Sequence, residues 1–192
     1  MQIPKIKVLI VLFASFALFT GCKDDETEVV SSFVGNYTIT KSAVAETFTL
    51  YTATPGVSFP IPAGFDITVA IQNSLLSSAS CSSANKAWVE LRKDNSMYMS
   101  CEGTNAFNAG TWEEVNATTL KLNMNSTAIP SSPTVYVLTI TNVVKTSAGM
   151  KGVTIVPMPK EMFADALKSL GMTIADTPAV YQVTISLDFT KK

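Results

Sequence analysis

The chain contains no histidine. Imidazole is the usual side chain titrating near neutral pH and the commonest metal ligand. Its absence excludes Ser-His-Asp and Cys-His catalysis and any histidine-based zinc site. Charge is also scarce, with Asp, Glu, Lys and Arg making up 15% of 192 residues. Lys5 and Lys7 are the only charged side chains before Cys22. Without those two, the 14 basic residues become 12 against 15 acidic, a net charge of −3. Such a chain lacks the basic surface that phosphate backbones demand, which speaks against a nucleic-acid partner. It speaks equally against attachment to anionic lipid by charge alone. Long apolar runs are missing too. Val8–Phe19 is apolar except for Ser15, but it falls short of the roughly 20 residues that cross a bilayer as a helix.

Groups that would carry acid–base chemistry are not assembled. Glu113 and Glu114 are adjacent, so on a strand they face opposite sides and make no dyad. No spacing suggests a metal-ligand cluster, and no glycine loop suggests a phosphate cradle. No catalytic residue, metal or cofactor is assigned, and the chain is read as a non-enzyme.

The N-terminus has a positive region at Lys5 and Lys7, an apolar run of h-region length, and then Thr20-Gly21-Cys22. This order is that of a secretory leader. Phe19-Thr20-Gly21-Cys22 resembles the lipobox of bacterial lipoproteins, with Phe19 where that family usually has Leu. The resemblance implies cleavage before Cys22 and lipid on its thiol. Several acyl chains, at about 0.8 kcal/mol per buried methylene, make a durable anchor. Lys23-Asp24-Asp25-Glu26 resembles a short signal for display on the outer face of the outer membrane. The resemblance therefore implies an outer-membrane, lipid-anchored, surface-exposed protein, with a periplasm-facing location as the alternative. Residues 1–21 are read as signal peptide, 22–32 as lipidated cysteine and tether, and 33–192 as one domain.

Within that domain the dominant pattern has a period of two, the mark of strands with one buried face. Phe33, Gly35, Tyr37 and Ile39 share a face. So do Phe48 and Leu50, Val89 and Leu91, and Leu120, Leu122 and Met124. The longest series is Tyr181, Val183, Ile185, Leu187 and Phe189. Val135–Thr141 and Val153–Val156 read as further strands. Lys93-Asp94-Asn95-Ser96 reads as a hairpin turn. Short strands at this spacing predict a mostly β fold, an antiparallel barrel or a sandwich.

Two segments depart from that pattern. Pro159–Leu170 predicts a helix, with Pro159 in its first turn, Glu161 at the positive end of the dipole and Gly171 as the stop. Met162, Phe163, Ala166 and Leu170 form its apolar stripe. Asp66–Ser80 fits a helix capped by Asp66, with Ile67, Ala70, Ile71 and Leu75 on one face. It also fits a strand through Ile67, Val69 and Ile71, and its length favours the helix.

With Cys22 lipidated, Cys81 and Cys101 remain as an even pair outside the cytosol, where a disulfide is favoured. The bridge closes a loop of about 20 residues and contributes roughly 3 kcal/mol in the chain-entropy description.

Three features together resemble the lipocalin-like domains of bacterial surface lipoproteins. They are Phe33-Val34-Gly35-Asn36-Tyr37 at the domain start, Cys81–hairpin–Cys101, and Gly110-Thr111-Trp112 leading into Leu120-Lys121-Leu122. Tyr37 stands where that family places Trp. The resemblance implies an up-and-down barrel of about eight to ten strands with one or two short helices. It also implies a small hydrophobic ligand, for which Tyr37, Val89, Leu91, Leu122 and Met124 are the candidate lining. Those residues equally fit a filled core. The competing reading is an accessory subunit or adhesin with a filled barrel. Trp88, Tyr98 and Trp112 would then lie on the outer face, available to a protein or glycan partner.

Overall fold

A computed structural model describes residues 30–76, 81, 86–102, 104–125 and 135–192. Cys22 and the leader and tether assigned to residues 1–29 lie outside the described residues. So do residues 77–80 of the second predicted helix.

Among the described residues ten strands form: β1 Gly35–Val44, β2 Phe48–Tyr51, β3 Ser58–Ile61, β4 Ala87–Leu91, β5 Ser96–Cys101, β6 Phe107–Asn116, β7 Thr119–Met124, β8 Tyr136–Thr146, β9 Gly149–Pro159 and β10 Val180–Lys191. Two helices accompany them among the described residues, α1 Thr68–Leu76 and α2 Glu161–Ser169. Eight strands close into an antiparallel barrel in the order β1-β10-β9-β8-β7-β6-β5-β4, and β2 and β3 make a separate two-stranded sheet. From β4 to β10 each strand pairs with its successor, which is the up-and-down topology expected from the alternation. β1 closes the ring by pairing with both β10 and β4.

The connections give the barrel two unlike ends. β4–β5, β6–β7 and β8–β9 are joined by tight turns at one end, the closed end. The long connections carrying α1, α2 and the β2–β3 hairpin gather at the other end, the mouth. The β4–β5 turn is built as the sequence suggests. Asn95 takes the left-handed conformation at φ 62°, and the Ser96 N–H donates to Asp94 Oδ1 at 3.0 Å.

The interior is filled. Ile39, Leu91, Met97, Met99, Leu122, Met124, Leu138, Ile140, Ile185 and Leu187 are all buried, and they belong to one continuous apolar cluster. Eight strands leave an interior that side chains can fill. At the closed end Phe33 is fully buried, with Lys145 Nζ 3.9 Å from its ring centroid. Lys145 also donates to Ser32 Oγ at 2.6 Å, and Ser31 bonds to Glu114. Tyr37 sits nearby, packed on the backbone of Gly35, and burial pushes its phenol pKa up.

Trp112 departs from expectation. It is only 2% exposed, and its Nε1 donates to the Arg92 carbonyl at 2.9 Å. The cause is a bulge in β6. Met97 pairs with Gly110, but the next residue, Tyr98, pairs with Asn108. Ala109 is thus the extra residue, and the strand's phase shifts so that Ala109 and Trp112 both point inward. Gly110 permits this at φ 138°, because a Cβ there would collide with the Asn123 carbonyl oxygen. Trp112 then faces Leu122 across the β6–β7 ladder.

The second predicted helix forms as α1. Asp66 lies one residue before the N-cap position, where its Oδ1 accepts the Thr68 N–H at 2.8 Å in an Asx turn, and Ile67 and Ile71 are buried while Val69 is 68% exposed. α2 begins two residues later than predicted. Pro159 is the last residue of β9, and Lys160 is the N-cap. Gly171, at φ 74°, ends α2 as expected. Its stripe is anchored by Leu167, which is buried, while Met162 and Leu170 are exposed.

Cys81 and Cys101 lie at disulfide distance, with Cα atoms 5.5 Å apart. Replacing both with serine is expected to lower unfolding free energy by about 3 kcal/mol in non-reducing urea titrations. A loss below about 1 kcal/mol would show that the pair is not bridged in solution.

Candidate functional site

The five candidate lining residues are not among those that line the recesses described below. Tyr37, Val89, Leu91, Leu122 and Met124 all point inward as predicted, and all are buried in the core. The structure brings them together as packing. One recess lies at the mouth, lined by residues of α1 and α2.

This groove follows from how β1 is finished. β1 pairs with β4 at only three positions, Gly35, Asn36 and Tyr37. Beyond them its edge toward β4 needs other partners, since unpaired main-chain groups are costly when buried. The Thr38 hydroxyl reaches the Ala87 carbonyl at 2.9 Å. Gln72 Nε2, from α1, donates to the Ile39 carbonyl at 2.7 Å. The Ser42 N–H donates to Thr68 Oγ1 at 2.8 Å, and the Ser42 carbonyl accepts the Ile67 N–H at 3.0 Å. Val44 exchanges bonds with Phe65 and Gly64. α1 and the turn before it therefore replace β4 along this edge. The ambiguity in the sequence is resolved physically: Asp66 bridges Ala43 in strand fashion, and the helix starts two residues later.

α2 forms the opposite wall. Its Phe163 packs against Phe48 and Tyr181, with ring centroids 5.5 and 5.9 Å away. Tyr181 accepts the Tyr51 N–H on its hydroxyl at 3.2 Å, which ties the β2–β3 hairpin to the barrel. Lys160, just before α2, pairs with Asp176 at 2.9 Å.

Between these walls lies a groove of about 550 Å³. Met158, buried at the end of β9, lies along it with Ile67 and Phe163. Phe65, Val69 and Met162 stand at its sides, 48%, 68% and 42% exposed. Asp66, Thr68 and Asn73 supply its polar groups. Thr68, through its side chain and its N–H, with a weaker contribution from Lys41, holds the Asp66 carboxyl below the ordinary carboxylate range.

Of the groove residues, the sequence suggests Ile67 and Ala70 as one face of a helix. Met158, Phe65 and Val69 were missed. Val69 carries a usable signal, because an apolar residue off the buried face of a helix must meet either solvent or a partner.

The outer-face aromatics are partly covered. Arg92 lies 3.6 Å from the Tyr98 ring centroid and Lys192 3.6 Å from that of Trp88. Each ring therefore has a cation on one face, which is unavailable for stacking on a sugar. Among the described residues no group of three or more potential metal ligands forms. No protein-family model matches the chain, and no curated protein matches it.

The Asp66 shift yields a prediction. The carboxyl pKa is depressed in the folded state, so the linked stabilisation is present above the unfolded value and is lost as pH falls through the folded value. Thr68→Val is expected to move the Asp66 titration, followed by carboxyl NMR, up toward ordinary values. An unmoved titration would remove Thr68 as the cause.

Proposed function

We propose that this is a bacterial surface lipoprotein of lipocalin-like type, anchored through lipid on Cys22. In this reading its mouth groove, rather than the barrel interior, binds a small hydrophobic or amphipathic molecule. The observation that carries the reading is the apolar recess between α1 and α2. Its volume of about 550 Å³ falls in the range of small-molecule sites, roughly 300–1,000 Å³. Its make-up is also of the usual kind, apolar walls with a few polar groups at the side. Exposed Phe65, Val69 and Met162 together form an apolar patch of the sort that marks a binding surface. The lipobox-like Phe19–Cys22 segment supports the anchor and the location.

The filled interior favours a second reading, an accessory or adhesive lipoprotein without a small ligand. One set of measurements separates the two. The protein is extracted from its own membrane, its intact mass is determined, and it is titrated with an environment-sensitive fluorescent alkyl-aryl probe. The first reading expects cleavage before Cys22, a mass increment of acyl chains, and probe binding weakened about tenfold or more by Val69→Asp. Probe binding unaffected by Val69→Asp and by Met162→Asp would remove the groove as the site. No probe binding at all would favour the second reading. Residues 1–21 retained with Cys22 bare would overturn the anchor.

A further inference from the structure

The β8–β9 ladder stops partway. Thr141 pairs with Val153, and no further pair forms toward the mouth between residues 136–140 and 154–159. Each segment remains paired on its other side, residues 136–140 with β7 and 154–159 with β10. The ladder between these two neighbouring strands is therefore interrupted toward the mouth, above a register shift between Thr141 and Val144.

The cause lies in β9. Alternate residues of an antiparallel strand turn their N–H and C=O toward opposite neighbours. Thr184 pairs with Ile155, yet its carbonyl accepts the Ala45 N–H at 2.8 Å on the side away from β9. Ile155 must then face away from β10, toward β8. Pro157 and Pro159 share that edge and have no N–H to give. Beyond Ile155, the next two residues on this edge lack the donors a continuing ladder would need. Just below, a bulge between Thr141 and Val144, with Asn142 at φ 52°, bends β8.

The opening is a cleft of about 520 Å³. It is lined chiefly by Val137, Thr139, Thr141, Val153, Ile155 and Glu46. The same alternation turns the main-chain groups of Val137 and Thr139 into it. At the comparable break between β1 and β4, α1 supplies Gln72 and Thr68 to the free edge. Here no helix among the described residues takes that place, and no ladder pair with β9 continues beyond Thr141.

We propose that this cleft binds an extended peptide segment of a partner protein, added as a strand along the free edge of β8. Main-chain donors and acceptors repeated at strand spacing are matched in a row by another extended backbone. The flanking side chains set the preference. Val137 and Ile155 are 49% and 60% exposed, and with Thr139 and Thr141 they favour uncharged β-branched residues across the pair. Glu46 makes no ion pair among the described residues, and it complements one lysine or arginine on the incoming segment. This site is distinct from the mouth groove and does not rest on the lipid anchor.

The test uses the purified, isotopically labelled full chain and a capped pentapeptide of alternating threonine and valine ending in lysine. Amide exchange of Val137 and Thr139 is expected to be fast in the free protein and slowed roughly tenfold or more by the peptide. The same peptide N-methylated at alternate amides is expected to have no effect, and Glu46→Gln to weaken binding several-fold. Slow exchange of both amides without peptide would mean that the edge is already covered, and would overturn the proposal. So would unchanged exchange at about 1 mM peptide, or equal slowing by the N-methylated version.

Discussion

The barrel depends on how β1 satisfies two neighbours at once. On one side it runs along β10 from Tyr37 to Val44 with a single irregularity. On the other it meets β4 for three residues only. A barrel removes sheet edges only if every strand is paired along its whole length, and here the sequence uses a helix to finish the task. Gln72, Thr68, Ile67 and Phe65 take the places that a longer β4 would occupy. Closure is thus part ladder and part helix. α1 cannot move away without exposing the Ile39 and Ser42 main-chain groups, so the groove wall it forms is as firmly placed as the barrel itself. Ser42 Oγ is buried beside this contact and has no hydrogen-bond partner among the described residues.

Filling of the interior sets the second constraint. Met97, Met99, Met124, Met150 and Met158 are all buried. Thioether side chains are unbranched and adapt to irregular gaps, so they complete a core whose wall is bent by bulges in β1, β6 and β8. A ligand in the centre would have to displace several of them at the loss of close packing. Exposed Phe65, Val69 and Met162 lie instead where packing ends, at the mouth. Met158 marks that transition, because it is both the last core residue of β9 and part of the groove.

Alternation made most of the barrel legible, because a strand with one wet face writes its orientation into every second residue. The Cys81–Cys101 pair and the Asp94-Asn95 turn were legible for local reasons of chemistry and spacing. What escaped was set by non-local partners. The inward turn of Trp112 depends on a bulge fixed by Gly110 against Asn123. β3 reads Ser-Phe-Pro-Ile, too short and too interrupted to announce itself without its partner β2. Leu167 anchors α2, although the stripe read from sequence centred elsewhere. The groove escaped for the same reason: its walls are two helices far apart in sequence, so the signals at Val69 and Met162 could not be joined without the fold.

Pro157 and Pro159 show how one local choice has consequences at two sites. Proline on the edge of β9 that faces β8 costs nothing toward β10, where the bonds come from the intervening residues. It does end the pairing with β8 and leaves the upper wall open. The same stretch then turns directly into α2, and so fixes where Met162 and Phe163 stand over the mouth. Groove and cleft therefore share a strand, and both lie toward the end opposite the one where β1 begins.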